Sequence, residues 1–320
     1  FTNTGAKDAI FEITEIVGEG PVPFGTVRLE YEGKQLVPPR QLNIPEYSGP
    51  NLAVANPTVE ARPKAPASES GGTVQLNENA TQYGILEVVP AYAAHIYPEP
   101  ETYVSFFDVA IPERWEQFGV SQGSIYAGDF LGDDFSKFYV VDDDTKTLST
   151  VDVETGEHTE IQVISTPPGT MTGMTGANGF FYATTTNCGV DTTLFKIFPD
   201  GTTETVGIIG NTTCAIDLAY IPFEDMIYIV DLDTASLHKV DPANPANASI
   251  VGSGLGFSPN FAQGMDYDEV NGILYWTAYN NELSELRIID TVSGNSVKVG
   301  NYPREGVELD AFSIAGKSEL

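Results

Sequence analysis

The sequence predicts an all-β chain built mainly as a five-bladed β-propeller, closed by strands from both ends of the domain. Three observations carry this reading. First, "KFYVVD" around Tyr139, "FFYATT" around Tyr182, "MIYIVD" around Tyr228 and "ILYWTA" around Tyr275 recur with tyrosine spacings of 43, 46 and 47 residues. Second, each is preceded by a short strand ("IYAGDF", "GMTG", "AIDLAY", "GMDYD") and followed by another ("LSTVD", "LFKIF", "LHKVD", "LRIID"), then by a turn and one more. Third, "VELDAFSI", residues 307–314, repeats the first strand of a unit with almost nothing after it, while residues 91–120 supply "AYAAHIY", "YVSFFDV" and "WEQFGV" with no first strand.

Each element follows from local chemistry. Four short strands per unit of about 45 residues, with Asn-Gly, Asp-Gly and Thr-Gly at the turns, is the pattern of a propeller blade. The strands are rich in Val, Ile, Tyr and Phe and seldom exceed six residues, which suits a sheet packed between two neighbours. Asp108 ends "SFFD" as Asp152, Asp241 and Asp290 end their strands, so residues 91–120 and 307–314 read as one blade. Its assembly from both ends removes the sheet edges that an open array would expose.

Upstream, residues 1–36 form a separate β segment: "FTNTGAKDAIFEITEI" and "GTVRLEY" alternate apolar and polar residues like strands. Residues 37–84 read as a Pro-rich linker or wrapping arm, since residues 1–100 hold 12 of the 21 prolines. The propeller is placed at 85–320. Two or three N-terminal strands are too few for a sandwich of about seven, so upstream sequence is missing or these strands lean on another body. The start at Phe1, without a Met or a signal-like stretch, reads as a processed or excised chain.

"YAGDFLGDDFSKFYVVDDDTKTLSTVDVETG", "YATTTNCG" and "AQGMDYDEVNGILYWTAYN" resemble the propeller-like C-terminal regions of large secreted bacterial surface proteins, notably some subtilisin-like proteases. "FTNTGAKDAIFEITEI" likewise resembles the Ig-like modules beside them, so residues 1–36 are expected to be Ig-like and incomplete. The resemblance implies an extracellular, cell-surface location. It carries no proteolytic activity, because no Gly-Thr-Ser-Met-Ala nucleophile segment and no His-Gly or Asp-Ser-Gly partner segment occurs.

Composition narrows the partners. Forty-five acids against 15 bases give a formal charge of −30 over 320 residues, a field that repels phosphate backbones and anionic lipid. Nucleic-acid partners are therefore disfavoured, and no apolar run approaches the roughly 18 residues of a membrane span. Hydrophobic residues at 41% supply a core.

The candidate functional residues are few. Cys188 follows the second strand of one blade and Cys214 precedes the first strand of the next, loops that emerge on the same face of the disc, so a disulfide is expected. Asp129, Asp217, Asp266 and Asp310 are read as equivalent positions of four innermost strands, with Thr175 in the fifth. They form either an incomplete carboxylate ring that holds a hard channel cation such as Ca²⁺, or acceptors for backbone N–H groups that pin blade to blade. No cofactor is required, and Ca²⁺ is the one candidate ion. A second acidic set comprises Asp142, Asp143 and Asp144; Asp191; Asp231 and Asp233; and Asn280, Asn281 and Glu282. It follows the second strand of each blade and suits tight-turn caps better than a metal.

His95, His158 and His238 occupy unrelated positions, read as scattered surface or loop histidines, so neither zinc nor a Ser-His-Asp arrangement is supported. The cations from residue 121 onward are spread across blades, which argues against phosphate chemistry. Trp115, Trp276, Tyr267, Tyr275 and Tyr279 are placed in inter-blade packing, with sugar stacking as the alternative. Asn79, Asn211 and Asn247 begin sequons that matter only in a glycosylating host.

The chain is thus expected to be a non-catalytic extracellular structural, assembly or adhesion module that self-associates into a filament or surface layer through its N-terminal strands, or binds surface glycans or proteins. The alternative is a carbohydrate-binding module or a Ca²⁺-dependent polysaccharide-acting enzyme using a face of the disc.

Overall fold

A computed structural model describes residues 2–3, 9–10, 29–31, 34–36, 89–97, 104–113, 115–118, 123–132, 134–261, 263–302 and 306–315. Near the N-terminus β1 (Thr2–Asn3) pairs with β2 (Ala9–Ile10), and β3 (Leu29–Tyr31) with β4 (Lys34–Leu36). The Ig-like character of residues 1–36 and the Pro-rich arm lie outside the described residues.

The propeller begins with three strands that lack an inner neighbour in sequence, β5 (Pro90–Tyr97), β6 (Val104–Asp108) and β7 (Trp115–Phe118). Four complete meanders follow. The first is β8 (Ile125–Leu131), β9 (Asp134–Asp142), β10 (Thr147–Asp152) and β11 (His158–Val163). The second is β12 (Thr170–Gly176), β13 (Phe181–Asn187), β14 (Asp191–Ile197) and β15 (Thr203–Ile208). The third is β16 (Ala215–Ile221), β17 (Met226–Asp231), β18 (Ser236–Val240) and β19 (Ser249–Val251). The fourth is β20 (Met265–Asp268), β21 (Ile273–Tyr279), β22 (Ser284–Ile289) and β23 (Ser296–Asn301). The last strand, β24 (Glu308–Ile314), then pairs antiparallel with β5 to make the order β24-β5-β6-β7. The five-bladed, all-β architecture and its closure by strands from both ends agree with the sequence reading.

There is no single core. Five apolar clusters fill the five wedges between adjacent blades, as packing of short sheets face to face requires. Phe107, Tyr275, Leu286, Val299 and Phe312 join blades four and five, and Tyr92, Phe130 and Phe138 join five and one. Phe181 and Phe195 pack with Val141 and Leu148 between one and two; Leu194, Leu218 and Ile229 lie between two and three. Tyr228, Met265 and Trp276 lie between three and four. Trp276, Tyr267, Tyr275 and Tyr279 are therefore packing residues, all buried, and only Trp115 of the five aromatics singled out is partly open.

The innermost strands crowd the axis, and small residues answer that crowding. A Cβ at Gly173 would meet Asp217 and Leu218 of the next blade, and one at Gly264 would meet the backbone of Phe312, each well inside van der Waals contact. The inner strands also share an irregularity: a one-residue bulge falls between Ile125 and Ala127, between Met171 and Gly173, and between Ala215 and Asp217. Bulges of this kind bend a strand and re-aim the side chain they expel, here Tyr126, Thr172 and Ile216.

Cys188 and Cys214 form a disulfide with a Cα–Cα distance of 4.3 Å, tying the second blade to the third across 26 residues. The chain-entropy relation gives a loop of this size about 3.5 kcal/mol. The double substitution Cys188→Ser, Cys214→Ser is expected to lower Tm by roughly 10 °C. Scanning calorimetry of both proteins checks this; an unchanged Tm would show that Asp231, described below, holds these loops without the bridge.

Candidate functional site

Antiparallel pairing places one residue of each inner strand opposite one tyrosine of its neighbour: Asp129 faces Tyr139, Thr175 faces Tyr182, Ala219 faces Tyr228, Asp266 faces Tyr275 and Ser313 faces Tyr92. This corrects the sequence alignment of the four aspartates. Asp129 and Asp266 are equivalent; Asp217 lies two residues before the shared register, and Asp310 three residues before it. In β24 Ala311 and Phe312 stand opposite the single residue Ala93 between Asp310 and Ser313, a one-residue bulge with Ala311 in the left-handed region at φ 49°. A bulge leaves no mark in a sequence, so Asp310 took the place that belongs to Ser313. The fifth tyrosine, Tyr92 in "AYAAHIY", was the available signal for the correct register.

With that register, a ring of clamps links each blade to the next. The Gly176 N–H donates to Asp129 Oδ2 at 2.5 Å, the Tyr220 N–H to Thr175 Oγ1 at 3.1 Å, the Met265 N–H to Asp217 Oδ2 at 2.5 Å and the Ile314 N–H to Asp266 Oδ2 at 2.8 Å. The Phe130 N–H reaches Ser313 Oγ at 3.4 Å, and Ser313 Oγ donates to Asp129 Oδ1, which closes the circle. The other oxygens of Asp129, Asp217 and Asp266 accept the N–H of Phe130, Leu218 and Tyr267 at 2.6–2.7 Å. Ladder bonds hold each blade together internally; these side chains satisfy inner-strand amides that face between blades.

Asp310 differs. It is fully buried, and neither carboxylate oxygen has a hydrogen-bond partner. Burial, Glu308 and Asp217 together hold its carboxyl well above the usual carboxylate range. Tyr126, expelled by the bulge in β8, is raised by its own burial and by the charges of Asp310, Glu308 and Asp143. Glu308, Asp310 and Tyr126 thus share the end of the channel at which the inner strands begin. Among the described residues no three His, Cys, Asp or Glu side chains are arranged to hold a metal ion.

Asp142, Asp231 and Asn280 of the second acidic set lie at the same end and cap turns there. Asp142 Oδ1 accepts the N–H of Asp144 in its own turn at 3.0 Å and of Ser124, entering β8, at 3.1 Å. Asp231 repeats this, taking Thr234 N–H at 2.9 Å and the N–H groups of Thr213 and Cys214, entering β16, at 3.0 and 2.9 Å. One carboxylate thereby fixes a turn and the neighbouring loop together. Asn280 caps its own turn through the N–H groups of Glu282 and Leu283 at 3.2 and 2.8 Å. At the opposite end Asp268, capping the N–H groups of Val270 and Asn271, is fully buried and pushed up to about 6 by that burial.

Two histidines depart from the expected surface placement. His95 is buried against Trp115, ring centroids 4.2 Å apart. His238 is fully buried between Thr212 Oγ1, 2.9 Å from Nδ1, and Thr234 Oγ1, 3.1 Å from Nε2. Thr234 spends its one hydroxyl proton on Asp231 Oδ1 at 2.8 Å, so Nε2 must carry a hydrogen. Burial lowers the His238 pKa, against the pull of Asp231. Alternating strand positions explain the miss: "LHKV" gives no sign of which side faces in.

The described propeller cations are all paired. Lys137 lies with Asp134, Lys146 with Asp143, Lys196 with Glu204 and Lys239 with Glu224. Buried Glu285 takes Arg287 at 2.5 Å and Lys298 at 3.1 Å.

No protein-family model matches the chain, and no curated protein sequence is similar to it. Solved structures resemble it in fold. A nidogen/laminin complex aligns with TM-score 0.50 and 14% identity over 72% of this chain and 99% of the other. TolB from Acinetobacter baumannii aligns with TM-score 0.44 and 12% identity, covering 76% and 68%. Virginiamycin B lyase from Staphylococcus aureus aligns with TM-score 0.40 and 11% identity, covering 67% and 70%. At these identities the likeness is one of propeller fold alone, and it places the chain in no family.

Proposed function

We propose that this chain is a non-catalytic extracellular module that assembles by adding strands of one copy to the sheets of another, in a filament or surface layer. One observation supports this most directly: the outer strands β11, β15 and β19 end their sheets and carry exposed apolar side chains, Ile161, Val163, Ile208 and Ile250. Such edges pair readily with an incoming strand. The N-terminal pairs β1–β2 and β3–β4 are too short to be stable alone and suit the incoming role. The disulfide fits an oxidising compartment, as does the resemblance to secreted bacterial surface proteins. The similar propellers include both a nidogen/laminin complex and a lyase, so the fold itself favours neither binding nor catalysis.

Negative-stain imaging with light scattering, on the full chain and on a variant lacking residues 1–40, tests the reading. Filaments or large oligomers that vanish on truncation, and that weaken when Val163→Lys places a charge on the β11 edge, are the expected result. Compact monomers of both chains at every concentration would overturn it and direct attention to glycan binding at a face of the disc.

A further inference from the structure

The carboxylate of Asp310 is out of place in an otherwise satisfied inner ring. Asp129, Asp217 and Asp266 each have both oxygens engaged by backbone N–H groups, whereas Asp310, at 0% exposure, has neither engaged. The blade clamp does not need it, because Ser313 fills that register. Its surroundings make matters worse for a lone anion. Glu308 lies on the same strand, and Asp217 repels it from β16. The blades of β16 and β24 do not adjoin, so that repulsion acts across the central channel, and Tyr126 of a third blade feels the same charges. Asp310, on the innermost strand of its blade, therefore sits near enough to the axis to feel charge from across it.

An unpaired buried carboxylate is costly, by several kcal/mol in a low-dielectric site. Complete burial keeps water from satisfying it. A bare cation, smaller than a water molecule, removes that cost. We propose that the channel end lined by Asp310, Glu308 and Tyr126 is a binding site for a single hard cation, Ca²⁺ in preference to a soft metal, with Asp310 as its principal ligand. Because no three acidic or imidazole side chains converge there among the described residues, oxygens other than carboxylates complete the coordination. Hard ions accept backbone carbonyls for this purpose, and zinc-type sites do not.

The test is calorimetric titration of the full chain with CaCl₂ after EDTA treatment, in parallel with Asp310→Asn. Asparagine keeps the shape and removes the charge. One saturable site per chain in the wild type, weakened at least about tenfold in the variant, is expected. Tb³⁺ luminescence excited through tyrosine is expected to rise on binding, to fall back when excess CaCl₂ is added, and to weaken in Tyr126→Phe. No saturable site in the wild type, or a site that survives unchanged in Asp310→Asn, would overturn the proposal; so would weak, multiple binding, which the −30 net charge alone explains. Should Asp310→Asn fail to fold, Glu308→Gln and the wild-type titration decide the matter in the same way.

Discussion

Deletion of residues 306–320 is expected to abolish the folded propeller, although it removes fewer than one residue in twenty. β24 supplies Leu309, Phe312 and Ile314 to the wedge between blades four and five and Ala311, with Ala315 just after the strand, to the wedge between five and one. Burial of the three large side chains is worth about 6 kcal/mol. The Asp266–Ile314 and Ser313–Phe130 clamps go with them. That sum rivals the whole stability of an ordinary domain, about 5–15 kcal/mol, and the deletion also bares the inner edge of β5. A permutant separates this cause from mere chain shortening. Ala315 N–H donates to Pro90 O at 2.8 Å, so residues 306–315 joined by a tight turn to residues 89–302 restore the missing strand as an ordinary hairpin. Near-UV circular dichroism and gel filtration are expected to show loss of tertiary signal and aggregation in the deletion, and a folded monomeric propeller in the permutant. A native-like spectrum for the deletion would show that four blades close without the fifth inner strand.

Trp276→Ala is expected to cost about 3–5 kcal/mol. Trp276 is fully buried, packs edge-on to Phe257 with ring centroids 5.5 Å apart, and pairs in the sheet with Met265 on one side and Arg287 on the other. Rigid sheets on both sides of the wedge limit collapse into the space vacated, which puts the loss at the upper end of the range. For a domain of this size the fall in Tm is roughly 10–15 °C. The indole N–H has no hydrogen-bond partner, so Trp276→Phe loses contact area without stranding a polar group and is expected to recover more than half of the loss. Thermal melts of the two variants check both statements; equal losses would mean that the ring's polar edge, and not its volume, matters.

Much of this fold was legible because repetition multiplies weak signals. One "YIVD" is an ordinary strand; four at near-equal spacing, each with its flanking strands, identify a blade, and the stranded pieces at residues 91–120 and 307–314 then have only each other to complete. The Cys188–Cys214 bridge followed from the same frame, since it requires only which end of a strand a loop leaves. The candidate site was less legible. Asp310 and Ser313 exchanged roles because a bulge shifts register by whole residues and needs no particular amino acid. His95 and His238 were misplaced because the middle strands of a blade are buried on faces that their own sequence does not mark.

What the sequence by itself determined, then, is the set of units: strand number, blade number, ring closure and the pairing of the cysteines, all consequences of local periodicity and chain order. What only the tertiary structure decided is which carboxylates are spent and which is left over. Asp129, Asp217 and Asp266 are neutralised by amides 47 or 48 residues further along the chain, and Asp310 by none. Hydrogen-bond satisfaction depends on distances between strands of different blades, and those distances exist only after the ring has closed.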